Sequence, residues 1–348
     1  MLDFYKNKKV FITGHTGFKG TWLCQVLLKA GAKITGYALA PVEPSLFSQI
    51  GVEKNINSII SDIRNRESLV KAILDAKPEI VFHLAAQPLV RLSYREPAET
   101  YETNVMGTVN ILEAIKLCPS VRSFVNVTTD KVYENREWHW GYRENENLCG
   151  YDPYSNSKSC SELVTYSYRN SFFYDESAHA VSTARSGNVI GGGDYGEDRI
   201  IPDCIRAVNA KKEIIVRNPG STRPYQHVLE CLFGYLLLAE KQFTSKTLEG
   251  AYNFGPDDED CVETGKLVEL FCECWGSGTG WLAQGDNGPH EAGFLKLDCS
   301  KAKAVLGWKP RWNIKTTVEK TVEFAKVLTN DERLDCIERQ IEGYLQPY

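Results

Sequence analysis

Apolar positions in the first half of the chain alternate between short β-branched runs and stretches with helical spacing. Lys9–Thr13 is a β-branched and aromatic run, and Thr21–Ala30 carries Trp22, Leu23, Val26 and Leu27 on one helical face before Gly31 stops it. The two patterns then recur. Strands are predicted at Lys33–Ala38, Ile80–Leu84, Ser123–Thr128 and Val181–Ser186. Helices are predicted at Ser68–Lys77, closed by Pro78, at Tyr101–Lys116 through Val105, Val109, Leu112 and Ile115, and at Tyr154–Phe173. Strands separated by single helices need right-handed crossovers, so the expected fold is α/β with a doubly wound parallel sheet.

Beyond residue 186 the regularity weakens. Gly191–Gly193 and Asp194–Asp198 read as a flexible loop, and Gly276–Gly288 as an exposed one. Helices are expected at Ile200–Asn209, Leu229–Glu240, Leu267–Cys274, Ser300–Leu306 and, as the last, Thr316–Leu328. Ala251–Phe254 is a short strand able to rejoin the main sheet. Residues 1–186 therefore read as one domain, to which the strand at 251–254 returns, and 187–348 mainly as a smaller, irregular substrate lobe.

Composition narrows the classes. The chain has 348 residues, 43% of them hydrophobic and 24% charged, which suits a folded protein with a sizeable core. A net charge of -5 with scattered Lys and Arg argues against nucleic acid or an anionic membrane as the main partner. No apolar stretch is long enough to span a bilayer, Met1–Gly14 does not read as a signal peptide, and Leu345–Tyr348 carries no prenylation motif. Eleven scattered cysteines without a C-x-x-C pair predict free thiols in a reducing cytoplasm, with no structural metal.

The first strand runs into Thr13-Gly14-His15-Thr16-Gly17-Phe18-Lys19-Gly20 and then a helix. Glycines 14, 17 and 20 allow a tight turn, approach of backbone N–H groups to a pyrophosphate, and close packing of helix on sheet. That placement makes the sheet Rossmann-like and the ligand a dinucleotide. The acid that would hold the adenosine ribose after the second strand is replaced by Ala38, Leu39 and Ala40. No arginine stands there for a 2′-phosphate, although His15 and Lys19 lie near enough in sequence to be candidates; NAD is the expected cofactor.

Tyr154 and Lys158 lie four apart at a helix start, on one face. A phenol with an unperturbed pKa of about 10 becomes a useful base if lowered by about 3 units, roughly 4 kcal/mol, by a neighbouring ammonium and an oxidised nicotinamide. Together with the glycine turn, Asp62-Ile63, His83-Leu84-Ala85-Ala86-Gln87 and Asn104 with Gly107-Thr108, the pair resembles the extended short-chain dehydrogenase/reductases that act on nucleotide sugars. The resemblance covers nearly the whole chain. It implies that Asp62 and Ile63 contact the adenine, that Leu84, Ala85 and Ala86 line the cofactor with Asn104 and Thr128, and that Lys158 binds the nicotinamide ribose. It also implies that Thr129 meets the sugar 4-hydroxyl beside Tyr154, and that Gln87 and Tyr225 contact substrate.

Thr128-Thr129-Asp130-Lys131-Val132-Tyr133 sharpens the likeness. Sugar-nucleotide 4,6-dehydratases commonly have a glutamate where Lys131 stands; the departure is similar to the subgroup acting on CDP-glucose. Other segments agree with it: Arg185–Asp194, Arg199–Asp203, Arg223–Glu230, His290-Glu291-Ala292 and Leu306–Pro310. The implied reaction gives CDP-4-dehydro-6-deoxyglucose, feeding deoxysugars to bacterial surface polysaccharide. Tyr154 takes the 4-hydroxyl proton while hydride leaves C4. Asp130, neutral through burial, protonates the departing 6-hydroxyl, and Lys131, uncharged in a desolvated pocket, takes the C5 proton or orients the group that does. Arg223 first and Arg199 second are candidates for the substrate diphosphate, with Asn188 also touching the nucleotide sugar.

Other readings stay open. A 4-epimerase would use the same Tyr/Lys pair, although it needs no acid/base pair at C5 and C6; a dehydratase for another nucleoside-diphosphate glucose and a non-catalytic dinucleotide-binding regulator are further alternatives. His83 is expected in the core, and His227 is undecided. Trp138 and Trp140 form a lid or simply pack their loop. Relatives dimerise through two long helices, here expected near Tyr101–Lys116 and Tyr154–Phe173, so Leu112, Leu163, Val164 and Tyr168 serve a homodimer or face the sheet.

Overall fold

A computed structural model describes residues 1–175, 179–276, 278–285, 288 and 292–346. His290 and Glu291, part of one resemblance segment, lie outside the described residues. In chain order the central layer comprises β1 (Lys9–Thr13), α1 (Phe18–Lys29), β2 (Lys33–Ala38), β3 (Asn57–Ile60), α2 (Arg66–Ala76), β4 (Ile80–His83), α3 (Gly107–Lys116), β5 (Ser123–Val127), α4 (Pro153–Phe172), β6 (Ala180–Ser186), α5 (Val228–Thr244) and β7 (Ala251–Phe254). The strands form one seven-stranded sheet in the order β7-β6-β5-β4-β1-β2-β3, all parallel. β7 does return to it, beside β6.

The strand period places the two faces. Val10 and Ile12 of β1 join the core under α1 and α5, with Trp22, Leu23, Leu229 and Leu232. Phe11 points the other way, into a core with Leu69, Ile73, Ile111, Ile115 and Phe124 under α2 and α3. Every residue of β5 and β6 is buried, as helices on both faces require.

Several boundaries differ from expectation for identifiable reasons. β3 was not predicted, because an edge strand with a mixed exposure pattern lacks alternation. The helix expected at Tyr101–Lys116 starts earlier, at Pro97 in the first-turn position, and passes through a π turn at Glu102–Met106 before α3. Inside the segment read as an exposed loop, Trp281–Ala283 is a strand paired in parallel with Ile214–Val216. Thr316–Leu328 is not the last helix: Ile314–Ala325 is followed by Asn330–Leu345, started by a capping box in which Thr329 and Glu332 satisfy each other's backbone N–H groups. Its Tyr344 stacks on Phe233 of α5, tying the end of the chain to the central layer. Among the described residues no helix is long and apolar enough to cross a membrane, and no group of His, Cys, Asp and Glu is placed to hold a metal ion. All eleven cysteines are free.

Candidate active site

The chain winds one way from β1 to β2 and β3, then crosses to β4 on the other side, so a crevice opens at the carboxyl ends of β1 and β4. The glycine turn fills its floor. At Gly14, with φ of 76°, a Cβ would stand 2.8 Å from the Ala85 nitrogen, and at Gly20 it would stand 2.1 Å from the Gly14 oxygen. Both glycines are therefore required by close backbone approach. Gly17 is different: its nearest neighbour would be 3.5 Å away, so its missing side chain leaves space in front of α1 instead of relieving a clash. Gly17 is also the N-cap of α1, with no side chain bonding to the first-turn N–H groups and no acid in that turn. An uncapped helix end behind an open glycine fits a pyrophosphate.

The adenine end is less open than the resemblance implies. Asp62 takes a backbone N–H and a forked guanidinium from Arg64, at 2.8, 3.1, 2.9 and 2.6 Å. That guanidinium holds its carboxyl below the usual range. Ile63 is buried against Gly107, and its carbonyl accepts from Asn110 at 3.1 Å. Asn104, carried on the π turn, brackets the Gln87 backbone and reaches Ser157 at 2.9 Å, pinning the loop after β4 to α4. Gln87 itself turns its amide to Leu89 in its own loop and to Thr100 on the helix that starts at Pro97.

Neither candidate for a 2′-phosphate points to one. His15 is buried against Gly36, bonds Ser58 at 2.7 Å, and burial lowers it to about 4. Lys19 runs the opposite way, to Ser186 at the end of β6, 3.2 Å from its hydroxyl. His83 lies in the core as expected, bonded to Thr13 at 2.7 Å and lowered by burial to about 3. His227 is also a core residue, capping α5 through Leu229 N between Trp22 and Trp312.

α4 presents the reactive pair. Asp152 caps it, accepting from Ser155 N at 3.0 Å, and Pro153 opens its first turn. Ser93 accepts from Tyr154 N at 3.1 Å, fixing the start of the helix against the short helix Val90–Arg95. Tyr154 is buried, which pushes its phenol up to about 12, while its interaction with the Thr129 hydroxyl pulls the other way. Lys158 does not offset the burial, because its Nζ donates to Val127 O at 3.1 Å. Burial, reinforced by the Lys19 ammonium, brings Lys158 itself down to about 8.

A measurable consequence follows. A lysine whose folded pKa lies below the unfolded value destabilises the fold while it is charged in both states, below pH about 8, and the penalty is relieved as pH rises toward the unfolded pKa of about 10.5. The shift corresponds to about 3 kcal/mol. Lys158→Met is therefore expected to raise the melting temperature of the ligand-free protein at pH 7 while lowering turnover. Calorimetry at pH 7 and pH 10 checks it, since the gain should shrink at the higher pH.

From Tyr154 a row of polar groups continues. Thr129 Oγ1 donates to Asp130 Oδ1 at 2.9 Å; Lys131 Nζ donates to the same oxygen at 3.0 Å and to Asn188 Oδ1 at 3.4 Å. Asp130 is fully buried, and its Oδ2 has no hydrogen-bond partner. It lies beside Gly187, where a Cβ would come within 2.9 Å of it. A buried carboxylate oxygen without a donor is a place for a ligand hydroxyl. The expected desolvated pocket around Lys131 is not present: its side chain is 28% exposed and held by an ion pair.

The proposed phosphate ligands are held by groups of the protein itself. Arg199 forks onto Asp194 at 2.8 and 2.9 Å, although its charge still reaches Tyr154. Arg223 is buried and donates to Thr222 O and Ala292 O. Tyr225 is buried and bonds Thr264 at 2.9 Å. Trp138 packs on Trp140 and Tyr142 with centroids 4.8 and 5.4 Å apart, so it packs its own loop.

One buried charge escaped the sequence reading. Glu162 receives Arg185 Nε and Nη2, each at 2.9 Å, with Thr128 and Thr183. Burial would raise it, yet Arg185 and these donors hold it below the usual range. It grips the end of β5 that carries Thr129. The signal was present in the spacing: Tyr154, Lys158 and Glu162 are a polar i, i+4, i+8 line on a helix face that packs inward.

A parallel sheet, an uncapped glycine turn and an inward Tyr/Lys pair define the extended short-chain dehydrogenase/reductase class. Residues 11–267 match the model of the family described as GDP-mannose 4,6 dehydratase, and the chain belongs to that family. It is 50% identical to a CDP-glucose 4,6-dehydratase of Salmonella typhimurium over 99% of both chains. It is 29% identical to a dTDP-glucose 4,6-dehydratase of Streptomyces antibioticus over 90% of this chain and 91% of that one. Among solved structures, the dTDP-glucose 4,6-dehydratase of Bacillus anthracis in complex with NAD superposes with a TM-score of 0.78 at 21% identity, covering 90% of this chain and 95% of that one. The UDP-glucuronic acid 4-epimerase of Bacillus cereus, with UDP-glucuronic acid and NAD, gives 0.78 at 23%, covering 91% and 98%. These structural likenesses speak for the fold.

Proposed function

We propose that the protein converts CDP-glucose to CDP-4-dehydro-6-deoxyglucose and water with NAD as resident cofactor. The row Tyr154–Thr129–Asp130–Lys131 carries this reading, because it sets a group for the 4-hydroxyl beside an acid/base pair for C5 and C6. The nucleotide follows from the CDP-glucose enzyme at 50% identity. Gly14, Gly17 and Gly20 with the N–H groups of Phe18 and Lys19 would hold the dinucleotide, alongside Asp62, Ile63, Leu84, Ala85, Ala86 and Lys158. Bound there, NAD supplies hydride acceptance from C4 and hydride return to C6.

Tyr154 takes the 4-hydroxyl proton, with Thr129 orienting that hydroxyl. The C4 ketone then acidifies C5. Lys131 accepts the C5 proton as Asp130 gives its own to the departing 6-hydroxyl, which leaves as water. Tyr154, now protonated, returns its proton to C5. The acid/base pair then resets internally, since one proton passing from Lys131 Nζ to Asp130 Oδ1 across 3.0 Å restores both starting forms.

The lobe after residue 186 would enclose the nucleotide sugar, with Asn188, Arg199, Arg223 and Tyr225 as contacts once Arg199 exchanges Asp194 for a phosphate. A homodimer is supported by Met106, Leu163 and Tyr166, which are 50%, 53% and 61% exposed beside and along α4; Leu112, by contrast, is buried in the core. Free cysteines fit a cytoplasmic location. The test is mass spectrometry of CDP-glucose deuterated at C4 after incubation with catalytic NAD. Loss of one water with deuterium moved to C6 is expected; a product of unchanged mass would favour the epimerase and overturn the dehydratase reading.

A further inference from the structure

Lys19 is in an unfavourable place by three independent criteria. It lies in the first turn of α1, where the helix dipole disfavours a cation. It is partly buried, and among the described residues its ammonium has no ion-pair partner, only the Ser186 hydroxyl at 3.2 Å and the Tyr235 ring at 5.9 Å. Ser186 is in turn hydrogen-bonded to the Tyr235 hydroxyl, so the ammonium is held by neutral dipoles. Its charged neighbours are mostly cations: Arg199, Lys131 and Lys158, against Asp130, whose Oδ1 is already taken by Thr129 and Lys131. A lysine kept against these costs has a task.

Its direction indicates which. The backbone of Lys19 belongs to the phosphate end of the crevice, but its side chain crosses to the Ser186 hydroxyl at the end of β6, within electrostatic reach of the group Asp130, Lys131, Arg199 and Lys158. The redox end of a dinucleotide must lie in that group, since the 4-hydroxyl proton and the C4 hydride leave adjacent atoms and Tyr154 receives the proton. Resting on the NAD reading above, we propose that Lys19 is a fixed positive charge beside the nicotinamide that discriminates between the two redox states of the cofactor. The oxidised ring carries one positive charge and the reduced ring none, so a nearby ammonium repels only the former. The charge favours oxidation of the sugar at C4 and retains the reduced cofactor until the hydride is returned.

The test is calorimetric titration of NAD, NADH and ADP-ribose into the wild type, Lys19→Met and Lys19→Arg. Lys19→Met is expected to lower the ratio Kd(NAD)/Kd(NADH) by about fivefold or more. ADP-ribose, which lacks the ring, should bind both proteins within about threefold and so report an intact fold, and Lys19→Arg should keep the wild-type ratio. An unchanged ratio would overturn the proposal. Equal weakening of all three ligands would overturn it as well, by making Lys19 a phosphate ligand. A wild type that binds ADP-ribose but neither NAD nor NADH would instead remove the cofactor reading beneath it.

Discussion

Tyr154→Phe is expected to lower turnover by about 10²–10⁴-fold, the range over which a positioned proton acceptor contributes. The ring remains, and its hydroxyl interacts favourably with Thr129 and, through charge alone, with Arg199, so the melting temperature should move little. The loss should appear in kcat, because the proton moves only as the C4–H bond breaks. Mixing the variant with CDP-glucose should give no transient absorbance of reduced nicotinamide, whereas the wild type should show one. The phenol stands at about 12 in the ligand-free protein, so the wild-type rate should climb with pH until loss of charge on Lys158, near 8, begins to oppose it. A variant within tenfold of the wild type would remove Tyr154 from the proton transfer.

Local signals and tertiary signals separate cleanly in this chain. The glycine turn was legible because each glycine answers a backbone constraint that any strand-to-helix turn at a phosphate must meet, and the structure shows two as contacts and one as space. The Tyr154/Lys158 spacing was legible because i, i+4 fixes a face wherever the helix lies. Local spacing could not say where the Lys158 ammonium would point, and it points to Val127 O. Lys19 could be placed in the turn but not aimed, since a four-carbon side chain reaches either end of the crevice; the burial of His15 could not be read from the turn either, because it arises from Gly36 on the neighbouring strand. β3 was hidden by its edge position. The helix Asn330–Leu345, in contrast, advertised its start in Thr329-x-x-Glu332 and was simply passed over.

Asp130 and Lys131 should separate two steps that the wild type runs together. Asp130→Asn retains an oxygen for Thr129 and Lys131 to bond but has no proton to give, so elimination should fall by about 10²-fold or more while oxidation at C4 proceeds. Reduced cofactor should then accumulate to about one equivalent per site. Lys131→Met should give the same accumulation for a different reason, since the C5 proton has no acceptor. Solvent deuterium tells the two apart. With Lys131 intact, the asparagine variant should still exchange the C5 proton of the 4-keto intermediate, because removal and return of that proton do not need the leaving group to depart. The methionine variant should show no exchange. Should Lys131→Met exchange as fast as Asp130→Asn, the base is another group and Lys131 only holds Asp130. Should Asp130→Asn also lose exchange, the two residues act as one unit, as the shared oxygen Oδ1 would allow, and the division into acid and base fails.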